Sequence, residues 1–431
     1  MDHAAIHATI RFGLGRRGDE PLPEDPRAWL VNQVEGADPA AFDSRLPSTA
    51  DGLTLLREQN KLQLRGADSL VRPAFQADAA AHGAQLLTTA APFRERLVWF
   101  WANHFTVSIR QGGVAAVFGP YMREAIRPNV TGSFAGLLLA VMRHPAMLMY
   151  LDNAGSAGPN SIVGRNGRRG LNENLARECL ELHTVSPAAG YTQADVTEFA
   201  RILTGWSVEM QRLLPGYVFR DGTAEPGTKT LMGRRFGPGE AGGIAALEFL
   251  AHHPATYRHL AAKLVRHFVA DDPPADAVGA IEGVLRDTDG DLGAASATLV
   301  SLPAAWAAPG AKLRSPFDYA VAACRALDLP ADKGPPLRGA LQALGQPVWN
   351  APLPNGWPDK AADWAAPEAM MRRIDWAHSL AGRAGDTDPA AVADAALGPL
   401  LHDRTRQAMR GAGSRRDALT LLLTSPEFQR R

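Results

Sequence analysis

Asn172-Glu173-Asn174-Leu175-Ala176-Arg177-Glu178-Cys179-Leu180-Glu181-Leu182-His183 is patterned as an amphipathic helix, and it holds the densest set of reactive side chains in the chain. At about 100° per residue, Arg177, Glu181, Asn174 and Glu178 follow Glu173 around one polar arc. Leu182, Leu175, Cys179, Ala176 and Leu180 fill the other side. His183 falls among these apolar residues, an odd place for an imidazole unless a group inside the fold meets it. Glu173, Arg177 and Glu181 follow one another at four-residue intervals, which is also how a solvated helix face laces itself with weak ion pairs. Glu178 borders the apolar side with no basic residue one turn away, so burial there raises its pKa and suits it to acid–base work.

The same helical spacing of alanine and leucine runs along most of the chain, and β-branched alternation is scarce. Helices are predicted over 26–34, from Pro92 to about Val107, from Pro145, over 254–269 and in the last turns before Ser425. Thr192-Gln193-Ala194-Asp195 reads as a capping box opening a helix that stops near Gly205. Two strand-like pieces, 217–220 and 229–232, predict a small β-hairpin inserted over 217–232. The expectation is a mainly α protein, one large multi-helix domain with long loops. Residues 1–383 would form its core and 384–431 a small helical annex packed on it. Two connections are unusually long: 153–170, rich in glycine with Arg165, Arg168 and Arg169, and 345–367, rich in proline with Trp349, Trp357 and Trp364.

Composition narrows the function classes. The 45 basic and 45 acidic side chains of the 431 residues cancel, which weighs against a nucleic-acid partner. The two cysteines, Cys179 and Cys324, lie in apolar helical contexts and read as core residues. The longest apolar run, 134–142, is far too short to span a membrane. Met1 to His7 lacks the basic then apolar pattern of a secretory signal, so the expected location is the cytoplasm, an exported mature form being the alternative.

His104, in Trp101-Ala102-Asn103-His104-Phe105, is a second imidazole on an apolar face, at the edge of the side made by Leu97, Val98, Trp101 and Phe105. Two such histidines point to a shared pocket between helices that also holds Glu178 or Glu181; the alternative is two core histidines, each satisfied by a carbonyl. A divalent metal would suit such a pocket, yet His-Glu-x-x-His, Glu-x-x-His and paired Cys-x-x-Cys spacings are missing, and no residue is assigned to it. A metal-free carboxylate pair acting on a glycan, with tryptophans as sugar platforms, is an equal alternative. Gly13-Leu14-Gly15-Arg16-Arg17-Gly18 matches a dinucleotide fingerprint by letter, but the proline-broken, acidic segment after it removes the required helix N-terminus. His259, Lys263, Arg266 and His267 form a basic stripe on one helix, usually a solvated face, which with the arginines of the glycine loop also offers an anion site. Asp195 reads as a cap, and Asp152 as a cap or a closure of the glycine loop.

Several motifs together carry a resemblance: Trp101-x-Asn-His-Phe105, His144-Pro-Ala-Met-Leu-x-Tyr-Leu-Asp-Asn153, Asn172-Glu-Asn-x-Ala-Arg-Glu-x-x-Glu-Leu-His-Thr184, Gly190-Tyr-Thr-Gln-Ala-Asp-Val196, Leu203-Thr-Gly-Trp206 and Pro354-x-Gly-Trp-Pro358. In this order they resemble the mostly bacterial family catalogued as domain of unknown function 1800. The resemblance covers nearly the whole chain and implies a mainly helical domain, with members often encoded beside a sulfatase-like protein. That makes a protein partner an alternative to catalysis. Relatives tend to carry His-Asp/Glu-Pro-Gly where this chain has Ala224-Glu225-Pro226-Gly227, so any role of that histidine is lost here.

The sequence thus favours an enzyme, a hydrolase or other acid–base catalyst acting on a small molecule or glycan. Its pocket would lie between the 93–107 and 172–184 helices, with the tryptophan loop as lid or wall. Glu178 and Glu181 are the candidate acid and base, His183 and His104 the proton relay or ligands, and Arg177 the anion holder. Asn103, Glu173, Asn174, Asp152 and Trp357 are the candidate substrate contacts. The rival reading is a non-catalytic assembly or maturation partner of a sulfatase-like protein, with the polar cluster as a network that fixes helix register.

Overall fold

Helix starts in this chain are specified locally, by prolines that tolerate the unpaired first turn and by side chains that take up its orphan N–H groups. Asp25 accepts from the N–H groups of Arg27 and Ala28 to open Pro26–Glu35. Ser48 with Asp51, and Thr192 with Asp195, form complete capping boxes for Thr49–Lys61 and Gln193–Ile202. Two His-Pro-Ala segments use one device: the Nδ1 of His144 accepts from Ala146 N–H and that of His253 from Ala255 N–H, each at 3.1 Å. An imidazole that accepts at Nδ1 is neutral.

The computed structural model describes residues 3–167, 169–329 and 337–431, so Arg168 of the glycine loop and the first two residues of the N-terminal segment lie outside the described residues. The fold is mainly helical, as the spacing predicted. The strand-like pieces do form strands, but they do not pair with each other. Strand β1 (Trp206–Glu209) pairs antiparallel with β2 (Gly216–Phe219), and β3 (Lys229–Leu231) with β4 (Arg234–Phe236). The second hairpin turns at Met232 and Gly233, both at positive φ, the backbone that a tight two-residue turn demands. Met232 N–H donates to Asp195 Oδ1 at 2.7 Å, so one carboxylate caps a helix and holds a hairpin.

The Pro92–His104 helix is buried along nearly its whole length and runs through the large apolar cluster with Phe12, Leu138, Val141, Leu264 and Phe268. A second cluster joins Ile6, Ile10, Tyr319, Ala323, Leu341 and Leu380 to Val392, Leu419, Leu422 and Phe428 of the segment expected as an annex. No described helix is long and apolar enough to cross a membrane.

The stretch 172–184 departs from the regular helix assumed for it. Only Asn174–Glu178 is α-helical, and Cys179–His183 forms a π-turn. Bonding five residues apart widens the turn and advances each residue by less than an α-helix does, so a regular helical wheel misplaces the residues after Glu178. The Thr184 hydroxyl closes the turn by donating to the Cys179 carbonyl at 2.7 Å.

Candidate active site

The π-turn ends with carbonyls that have no partner further along the helix, and imidazoles from two other helices take them up. His104 Nε2–H donates to the His183 carbonyl at 3.1 Å, and His259 Nε2–H to the Leu182 carbonyl at 3.0 Å. The His104 ring lies 6.0 Å from that of His183 and 6.2 Å from that of His259. Desolvation, reinforced by the nearby Lys263 ammonium, depresses all three pKa values: His104 well below 6.5, His183 to about 3 and His259 to about 4. They are neutral at physiological pH. His104 Nδ1 and both ring nitrogens of His183 are buried without hydrogen-bond partners among the described residues.

No hydrogen bond or ion pair joins these rings to the acids expected beside them. Neither the Glu178 nor the Glu181 side chain makes a hydrogen bond or ion pair to a described residue; both residues are half-buried. Burial and then the neighbouring Glu181 push the Glu178 pKa up, and burial, with a smaller push from Glu178, raises the Tyr150 phenol to about 12. Glu173 and Arg177 are tied into a network at the surface. Glu173 accepts from Thr197 Oγ1 at 2.6 Å, Gln193 Nε2 at 2.9 Å and Arg177 at 3.0 Å, and Arg177 also donates to Gln193 Oε1 at 3.0 Å. These bonds join two helices. Asn174 is exposed at the first turn, and Asp152, at φ +57°, accepts from Gln111 Nε2 at 2.7 Å.

The cavity lies on another side of the Pro92–His104 helix. About 270 Å³ in volume, it is walled by that helix, by Pro254–Phe268, by the start of Pro316–Ala326 and by the tryptophan loop. Of the candidate residues it brings together His104, Asn103 and Trp357; no residue of 172–184 lines it, so this cavity is not the pocket expected between the 93–107 and 172–184 helices. The π-turn packs against His104, whose Nε2–H meets the His183 carbonyl. Ala224 is not among the lining residues either.

Sequence reasoning expected the basic stripe to face solvent, but the tryptophan loop covers it. Lys263, Arg266 and His267 all line the cavity. His267 Nδ1 lies 2.9 Å from Asp359 Oδ2. Desolvation pushes Asp359 up, but His267, Lys312 and Arg431 outweigh it and hold the carboxyl below its usual range. An ionised carboxylate can only accept, so the hydrogen of His267 sits on Nδ1 and the lone pair on Nε2. Desolvation, only partly offset by Asp359, lowers the His267 pKa and keeps the ring neutral. Its Nε2 has no hydrogen-bond partner among the described residues.

Behind this dyad lies a buried ion network. Asp318 pairs with Arg96 at 2.6 Å and with Arg431 at 3.0 Å, and Arg431 reaches Asp359 at 3.7 Å. Against the cost of burial, Arg431 and Arg96 hold the Asp318 carboxyl far below the usual range. Both acids on the cavity wall are therefore already neutralised. Lys263 and Arg266 make no hydrogen bond through their side chains and no ion pair to a described residue, which leaves the cavity net positive. Trp99, Phe100, Phe118, Phe317, Trp349 and Trp357 supply its apolar surface.

The tryptophan loop is a fixed wall. Asn103 Nδ2 donates to the Trp357 carbonyl at 2.9 Å while Trp357 N–H donates to Asn103 Oδ1 at 2.8 Å. Gly356, at φ +74°, permits this approach, since a Cβ there would lie 2.5 Å from the Asn103 carbonyl oxygen. Lys312 Nζ donates to the carbonyls of Asp359, at 3.1 Å, and Arg266, at 2.8 Å, and Ala361 N–H donates to Asp271 at 2.7 Å. Trp349, held at φ +62°, stacks on Trp99 with ring centroids 5.9 Å apart.

Among the described residues no group of three or more histidine, cysteine or carboxylate side chains is arranged to hold a metal ion. A family model described as "Protein of unknown function (DUF1800)" matches residues 7–430, so the chain belongs to that family. Neither a curated protein nor a solved structure matches it.

Proposed function

We propose that this member of the DUF1800 family is an enzyme that takes a small anionic molecule into the cavity beneath its tryptophan loop and moves a proton on it with His267. The observation that carries this reading is the 2.9 Å contact between His267 Nδ1 and Asp359 Oδ2 on the cavity wall, with Nε2 left free of protein partners. Asp359 fixes the tautomer and orientation of the ring, and the neutral ring offers its Nε2 lone pair as a general base, the arrangement that acid–base catalysis requires. Lys263 and Arg266, without protein counterions, are the natural partners of a carboxylate or phosphate on the substrate. The aromatic walls favour an apolar or planar body attached to that group. Such a base can activate water for hydrolysis or take a proton from the substrate itself.

The test is a thermal-shift screen of the full chain against small carboxylates and phosphates, followed by turnover assays on each compound that raises the melting temperature. His267→Asn and Asp359→Asn should bind the same compounds, and His267→Asn should lose turnover by about a hundredfold or more. A screen in which no carboxylate or phosphate moves the melt, or a substrate turned over equally well by His267→Asn, overturns the reading.

A further inference from the structure

We infer that Lys263 is an imine-forming amine, and that the cavity takes an aldehyde or ketone carrying an anionic group. The inference rests on the reading of this cavity as a reaction site and adds a covalent step to it.

Lysines in folded proteins normally keep their ammonium in water or against a carboxylate. Lys263 does neither: it lines an aromatic cavity, and no hydrogen bond or ion pair joins its ammonium to a described residue. The carboxylate best placed to neutralise it, Asp359, is already shared between His267 and Arg431. Arg266 and the neutral imidazoles of His104, His183 and His259 surround it and offer no counter-charge. Desolvation, opposed by Asp359 and helped by Arg266, pushes the ammonium down to about 8, so about a tenth is free amine at pH 7, far more than for an ordinary lysine. Desolvation and a neighbouring cation are the two means by which proteins make a lysine nucleophilic.

The step needs no co-reactant. The Nζ lone pair forms a bond to the carbonyl carbon as the C=O π pair moves to oxygen. A proton then passes from nitrogen to that oxygen, and the carbinolamine loses its hydroxyl with a second proton as water, leaving C=N. His267 stands one helical turn from Lys263 on the same face and can carry both protons through Nε2, since each one it takes up it gives back. Arg266, also on the wall, is placed for the anionic group.

Glyoxylate, a small carboxylate-bearing aldehyde, is the probe. The full chain is incubated with glyoxylate and cyanoborohydride near neutral pH, and carboxymethylation of each lysine is followed by peptide mass spectrometry. Lys263 should be modified at least about tenfold faster than the exposed Lys61, and His267→Asn should slow Lys263 alone. Modification of Lys263 no faster than Lys61 overturns the inference. If that happens while carboxylates still bind and turnover still depends on His267, the imine falls and the acid–base site stands. If no carboxylate binds either, both fall. Lys263→Arg, which keeps the charge, should retain carboxylate binding and lose the label at this position.

Discussion

The Nε2–H of His104 ends on the carbonyl of His183, so the two imidazoles that stand out in the sequence meet through a peptide group and not through a carboxylate. Their convergence organises a π-turn. The cavity proposed for the chemistry is walled by the same helix, where Asn103 and Trp357 clasp each other.

Acid should unfold this protein early. In the unfolded chain every imidazole binds a proton near pH 6.5, whereas in the fold His7 and His259 wait until about 4 and His82, His144 and His183 until about 3. Below pH 6.5 the unfolded state therefore holds more protons, and stability falls as pH falls. Each such group contributes a slope of about 1.4 kcal/mol per pH unit in that window. Urea midpoints measured across the range should drop steeply from about pH 6 downward; a flat midpoint to about pH 5 would contradict the burial of these rings.

Asn103→Ala removes both bonds to the Trp357 backbone and should cost about 1–3 kcal/mol. Gly356→Ala should loosen the same wall by steric conflict and a disfavoured φ. Hydrogen exchange over 345–366 is the direct readout, and both variants should speed it without altering exchange in the 193–202 helix. Unchanged exchange would mean that the wall is held by its aromatic packing alone.

Asp318→Asn leaves Arg96 and Arg431 buried without their counter-charge. Loss of one partner in such a network costs roughly 3–5 kcal/mol, even where the network as a whole adds little net stability. A melting temperature equal to that of the parent would show that water replaces the carboxylate there.

Glu178→Gln and Glu181→Gln separate the two placements of the chemistry. With the active site in the cavity, both variants keep their fold and their turnover, and Glu178→Gln gains slightly in stability because its carboxylate is desolvated without a partner. Loss of turnover in Glu178→Gln, alongside normal turnover in His267→Asn, would move the site to the surface beside Tyr150.

The helical class and the caps were legible because each depends on residues close in sequence, while the meeting of His104 with His183, 79 positions apart, showed only as two imidazoles on apolar helical faces. The rest depended on distant partners. Asp359 lies 92 positions from His267, and no periodicity on the Pro254–Phe268 helix announces which segment will cover its basic stripe. The motif ending at Pro358 was visible, but the aspartate directly after it carried no signal of its own. A further signal was hidden from the sequence: the π-turn begins at Cys179, and a wheel drawn for a regular helix rotates every later residue too far. The hairpin pairing failed because short strands of similar composition carry too little alternation to choose among neighbours.

For the anionic ligand proposed above, the two-way amide clasp between Asn103 and Trp357 sets the timing of capture. Because the 345–366 segment is fastened at Trp357, Asp359 and Ala361 before any guest arrives, occupancy requires no closing motion and forfeits little chain entropy. Capture should then follow one simple bimolecular phase, with discrimination exerted by the rigid mould itself rather than by a gate that shuts behind the guest.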